Sequence, residues 1–123
     1  MYKIEYDKSI NRINVVLTGN IDTAEAAKYS DELINTVKSA LVGFTLLVDT
    51  RGLEKMSDET IAQINKAREH GIASKKIKKS AIVADNIFVS SQSKKSLAEL
   101  ENAFEERAFA SMQKAEDFLN QQL

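Results

Sequence analysis

The sequence predicts a single α/β domain on a mixed sheet, with elements in the order β-β-α-β-α-β-α-β-α. Three observations carry that prediction. Phe44 to Val48 is a nearly unbroken apolar run, too short for a helix, and reads as a strand buried on both faces. At the N-terminus, apolar and polar residues alternate with a period of two in two successive segments. Further along, apolar residues recur at helical spacing in segments separated by short apolar runs. Strands alternating with helices imply parallel neighbours joined by right-handed crossovers, and the opening pair of strands supplies an antiparallel hairpin at one edge.

The elements follow in order. Tyr2, Ile4 and Tyr6 alternate with Lys3, Glu5 and Asp7 as a half-buried strand. Ile13, Val15 and Leu17 repeat the pattern, so Tyr2–Tyr6 pairs with Arg12–Thr18 and Gly19-Asn20 ends the hairpin. Asp22-Thr23-Ala24-Glu25 has the spacing of a capping box. Ala26, Tyr29, Leu33, Val37 and Leu41, with Ile34 beside them, then give an amphipathic helix of about 18 residues ending near Gly43. After the strand Phe44–Asp49, Gly52 lies in a polar loop. Ser57 caps a second helix whose first turn carries Asp58 and Glu59, where the helix dipole favours negative charge. Met56 and Ile61 are spaced as a hydrophobic staple around that cap. Ile61, Ile64 and Ala67 form its apolar stripe, His70 sits in its last turn, and Gly71 suits its C-terminal cap.

Lys75, Lys76, Lys78 and Lys79 form a basic, solvated connection around Ile77. Ala81–Ala84 is a second short buried strand ending at Asp85. Ser90 to Ser93 begin a third helix striped by Leu97, Leu100 and Phe104. Glu105-Glu106 reads as an acidic turn and Ala108–Ala110 as a last short strand. Ser111 caps a final helix with Met112, Ala115, Phe118 and Leu119 facing inward.

Composition narrows the function. The chain has 123 residues, a net charge of −1 and no Cys or Pro. Such a length makes one domain with a real core. Neutral charge points away from nucleic acid and anionic membrane surfaces. The lack of Cys removes disulfides, thiol chemistry and cysteine-ligated zinc. No apolar run approaches the length of a membrane span, and Met1–Tyr6 lacks the apolar core of a signal peptide, so a cytoplasmic protein is expected. With one His, no Gly-rich phosphate loop and no nucleophile elbow, no constellation calls for catalysis, a metal or a cofactor. The expectation is a protein that is not an enzyme.

At this point the chain resembles a STAS domain, the fold of bacterial anti-sigma-factor antagonists, in its looser SpoIIAA-like group. The likeness covers the whole element order and is most specific from Asp49 onward. Asp49 matches an acidic residue at the end of the third strand, Gly52 a loop glycine, and Ser57-Asp58-Glu59 falls where the family has Asp-Ser-Ser. The ending, Arg107 to Met112 with Ala115 and Phe118-Leu119, is also similar. The resemblance implies a regulatory domain that docks a protein partner through the start of the second helix and the adjacent loops. The candidate contact residues are Asp49, Thr50, Arg51, Ser57, Asp58 and Glu59. In the family a serine at this helix start is phosphorylated; Asp58 stands at that position here, which leaves Ser57, one residue early, as the phosphorylation candidate.

Each of these residues also has a plainer role. Ser57 is explained by capping, Asp58 and Glu59 by the dipole, and Asp49 by a local loop. Asp85, Asn86, Ser90 and Ser91 end one strand and begin the next helix, which in a parallel sheet puts them on the same rim as Asp49, as a candidate ligand rim. An alternative reading is a small-molecule or lipid carrier, which requires an apolar pocket between helix and sheet. The edge strand Tyr2–Tyr6 offers a route to a homodimer, although its charges argue against open-ended pairing.

Overall fold

The computed structural model describes residues 1–85 and 104–121. The described strands are β1 (Tyr2–Asp7), β2 (Arg12–Leu17), β3 (Phe44–Asp49), β4 (Ile77–Val83) and β5 (Glu105–Phe109); the helices are α1 (Thr23–Ser39), α2 (Asp58–Ser74) and α3 (Met112–Asn120). The five strands form one sheet in the order β1-β2-β3-β4-β5. β1 runs antiparallel to β2, with Tyr2 opposite Leu17, and all other neighbours are parallel. This is the mixed α/β sheet with an N-terminal hairpin that the residue pattern predicts. The predicted helix of Ser90–Ser93, Leu97 and Leu100 lies outside the described residues, as do Asn86 and Ser91; Phe104 stands immediately before β5.

Helices cover both faces. Period-two alternation sends Ile13, Val15, Leu17 and Phe44 to one face, where Ala26, Tyr29, Leu33 and Val37 of α1 and Ala67 of α2 complete the larger core. Leu47, Ala81 and Val83 point the other way, onto Ala115, Phe118 and Leu119 of α3. β3 is thus flanked on both sides, which is why its sequence reads as a continuous apolar run.

Several local expectations need correction. α1 stops at Ser39, and Ala40 closes it by donating its N–H to the carbonyls of Thr36 and Val37. Leu41, expected on the apolar stripe, therefore lies beyond the helix and is 67% exposed. α2 runs on through Gly71 to Ser74, so His70 is not in its last turn; Lys75, at φ +57°, takes the left-handed cap that Gly71 was expected to fill. β4 begins at Ile77, earlier than Ala81, because the alternation extends back through the lysines. β5 begins at Glu105, earlier than Ala108, so Glu105 and Glu106 are strand residues. Glu106 points into the sheet's helical face and pairs with Arg68 at 2.5 Å.

The basic cluster is likewise two helix locks and two surface charges. Lys76 Nζ donates to the carbonyls of Val37 (2.6 Å) and Lys38 (3.3 Å), at the C-terminal end of α1. Lys79 is 3% exposed; its Nζ donates to the carbonyls of Phe118 (3.1 Å) and Gln121 (3.2 Å) at the end of α3 and sits 4.8 Å from the Phe118 ring centroid. Orphan carbonyls and the negative end of the dipole make a helix C-terminus a fitting partner for a buried cation. Arg12 adds a third hold, donating to Thr45 Oγ1 at 2.9 Å and to Asn120 Oδ1 at 2.8 Å. Lys75 and Lys78 are exposed.

Candidate functional site

The rim where the parallel strands end carries the residues singled out in the sequence. β3 closes at Asp49, and Thr50 turns toward β4: its N–H and Oγ1 both donate to the Val83 carbonyl, at 2.7 and 2.9 Å. The chain then reverses through Gly52 at φ +81°, a left-handed conformation that side chains resist. Gly19 N–H donates to the Gly52 carbonyl at 3.0 Å and Glu54 N–H donates back to the Gly19 carbonyl at 3.0 Å. The loop is therefore tied on one side to the β2 exit and on the other to β4.

Arg51 folds back onto Asp49. Its Nε and terminal nitrogen donate to Oδ1 (3.0 Å) and Oδ2 (2.8 Å), a two-pronged contact, and its backbone N–H donates to Oδ1 at 3.1 Å. The hydrogen bonds from the Arg51 side chain hold the Asp49 carboxyl below the usual carboxylate range, against the opposing effect of partial burial. The Asp49 hydrogen bond and charge in turn raise Arg51, with a smaller contribution from Asp85. Asp49, Arg51 and Asp85 are thus neighbours on one rim, as parallel pairing requires. Arg51, a candidate contact residue, thus already has an anion of its own chain as partner.

The start of α2 is a separate cluster. Ser57 Oγ accepts from Thr60 N–H at 3.2 Å, the N-cap bond, and contacts Thr60 Oγ1 at 2.9 Å. Thr60 Oγ1 also meets Thr23 Oγ1, at the first residue of α1, at 3.1 Å. Thr60 is 1% exposed, so this chain of three hydroxyls joins the two helix starts through a buried middle member, with Thr23 half-buried and Ser57 at the surface. Thr60 had no part in the sequence expectations; a threonine three residues after a capping serine was the available signal. We expect Thr60→Val, which keeps shape and loses the hydroxyl, to destabilise the fold by about 1 kcal/mol in chemical denaturation, the cost of losing the hydrogen bonds of a buried hydroxyl. An unchanged midpoint would show that the hydroxyl chain contributes nothing.

The apolar stripe of α2 is consequently Thr60, Ile64 and Ala67. Each helical residue turns about 100°, which places Ile61 beside this stripe rather than in it. Ile61 is 40% exposed, a correction to the expected staple, in which Met56 alone packs inward. Asp58 and Glu59 are exposed as well. Asp58, three residues before Ile61, lies beside it on the helix surface, whereas Glu59 is turned about 160° away from Ile61.

A third feature lies beneath α2. Between α1, α2 and the sheet is an apolar cavity of about 160 Å³ lined by, among others, Leu33, Val37, Leu46, Val48 and Ile64. Tyr29 and the Arg68–Glu106 pair contribute its polar wall. Burial raises the Tyr29 hydroxyl above the ordinary phenol range, with the Arg68 charge opposing it, so Tyr29 is a protonated donor at neutral pH.

A crystal structure from Shewanella loihica PV-4, of an uncharacterised protein of the DUF3478 family with a SpoIIAA-like fold, superposes with a TM-score of 0.66 at 15% identity. The match covers 97% of this chain and 92% of that one. The SpoIIAA-like fold expected from the sequence is the fold of this chain. No family model matches the sequence, and no curated protein is significantly similar to it. Among the described residues no helix is long and apolar enough to cross a membrane.

Proposed function

We propose that this domain is a non-enzymatic interaction module of the bacterial cytoplasm, docking a regulatory protein through the start of α2 and the loop before it. The observation that supports this is the exposed pair Asp58 and Ile61, one helical turn apart at the start of α2. An apolar side chain beside a carboxylate fits a partner that offers a shallow apolar pocket with a basic rim. The pair stands on backbone that is already ordered: the Ser57 cap, the Thr23–Thr60 contact and the Gly19–Gly52 bonds hold it in the free protein. Binding would then require little further ordering of the chain. Asp49 and Arg51 neutralise one another and serve to hold the loop, while Thr50 anchors it to β4.

Capture from lysate of the source cell, with wild type and Asp58→Lys as parallel baits, tests this. Reversing the charge beside Ile61 is expected to weaken the retained partner at least tenfold, while the thermal midpoint falls by only a few degrees, the cost of placing a cation in the first turn of α2. Equal retention by both baits would take this surface out of the function.

A further inference from the structure

We propose that β1 pairs edge to edge with β1 of a second copy of this chain, in one antiparallel register centred on Ile4, to give a closed two-fold dimer. β1 is the first strand of the sheet and, among the described residues, has β2 as its only neighbour. The direction of its free backbone groups follows from its first contact. The Met1 amine donates to the Thr18 carbonyl at 2.8 Å, and Thr18 N–H donates back to the Met1 carbonyl at 2.9 Å. In an antiparallel ladder such bonded pairs alternate along the strand. Lys3, opposite Val16, and Glu5, opposite Asn14, therefore spend their backbone groups on β2, while Tyr2, Ile4 and Tyr6 turn theirs outward. An edge of this kind is a template for another strand.

The side chains select the partner and the register. Around Ile4 the strand reads Tyr2-Lys3-Ile4-Glu5-Tyr6, with matching tyrosines and charges of opposite sign at equal distances from the centre. A two-fold axis at Ile4 sets that residue against itself, Tyr2 against the partner's Tyr6 and Lys3 against the partner's Glu5. The outward backbone groups of Tyr2, Ile4 and Tyr6 then all fall in hydrogen-bonded pairs. Lys3 and Glu5 fall in the pairs between them, where facing side chains come closest, with Cβ atoms about 5 Å apart. Within one copy these two already bridge along the strand at 3.0 Å, with side chains 68% and 62% exposed. Pairing closes two such bridges into a square of alternating charge. Sliding by two residues, the smallest step that keeps the same faces together, puts Lys3 opposite the partner's Lys3 or Glu5 opposite the partner's Glu5, and like charges directly across a strand pair repel. On the other face Tyr2, Ile4 and Tyr6 are only half-buried, so pairing covers apolar surface that one copy leaves open. The contact uses the β1 edge of both copies, so assembly stops at two. It involves none of the docking residues at the start of α2.

The test is sedimentation equilibrium of the full chain across the micromolar to millimolar range, with circular dichroism to confirm the fold of each variant. One strand pair is a small contact, so a weak, reversible dimer is expected. Wild type should pass from monomer to dimer mass and no further. Lys3→Glu sets carboxylates opposite one another on both sides of the axis and should weaken the dimer at least tenfold. Adding Glu5→Lys exchanges the two signs, restores the complementarity and should return association to within about threefold of wild type. Both side chains are exposed, so these variants should fold. Ile4→Pro removes the central outward N–H, a change that an edge strand tolerates, and should abolish the dimer. A wild type that stays monomeric at millimolar concentration would overturn the proposal. A dimer that persists in folded Ile4→Pro would place the contact on another surface. One that is insensitive to Lys3→Glu, or that the double exchange fails to restore, would overturn the register. Growth beyond two copies would overturn the closed form.

Discussion

Phe44→Ala is expected to destabilise the domain by about 4 kcal/mol, within the range for emptying a buried phenylalanine site. Phe44 is 1% exposed and opens β3 at the point where the register with β4 shifts, between Phe44 and Thr45. It packs in the larger core and also walls the cavity. Truncation would merge the lost ring volume with space that is already empty, so collapse of the neighbours can recover little. Stability of a domain this size is on the order of 5–15 kcal/mol, which makes the loss a large fraction of the total. Urea unfolding followed by circular dichroism would check it, with Phe44→Leu expected to lose only about 1–2 kcal/mol. A cost below about 2 kcal/mol for the alanine variant would mean that the site relaxes, and that the space between α2 and the sheet closes easily.

Lys79→Ala is expected to cost about 3 kcal/mol, although a lysine on a strand would ordinarily be assigned to the surface. Its two charge-assisted bonds cap the last carbonyls of α3, and its aliphatic stem fills space against Phe118. Lys79→Met retains the stem and loses the bonds, and should recover about 1 kcal/mol of the difference. The loss should be visible first as fraying of α3, measured by amide hydrogen exchange at Phe118 and Leu119, before global unfolding. If both substitutions cost less than about 1 kcal/mol, the carbonyls at the end of α3 are satisfied by solvent and the lysine is not a cap.

Much of the fold was legible because local chemistry and tertiary packing agree. The alternation in Tyr2–Tyr6 and Arg12–Thr18 needed only a period of two to become a hairpin, and the apolar run of β3 could only be buried on both faces. Asp22, Ser57 and Ser111 announced helix starts through side-chain bonds spanning three residues, and each accepts that bond in the structure, from Glu25, Thr60 and Lys114 respectively. These are short-range facts, and a sequence states them directly.

The chain's local pattern was thus enough for the order of the described elements, the starts of the three described helices, the α1 stripe from Ala26 to Val37 and the shared rim of Asp49 and Asp85. Features that depend on a distant partner came only with packing. Lys76 and Lys79 became caps because the ends of α1 and α3 arrive beside them from 39 residues away. Glu106 became interior because Arg68 lies across from it, and Thr60 displaced Ile61 from the core because Thr23 meets it at the head of α1. The cavity belongs to the same class: no single segment encodes it, since it is the space left when α2, lined with small residues, packs on α1 instead of settling onto β3 and β4. Hydrophobic periodicity records which side of an element faces inward. It does not record which long polar chain finds a carbonyl there, or how far apart two buried surfaces come to rest, because both are set by the joint packing of elements distant in the chain.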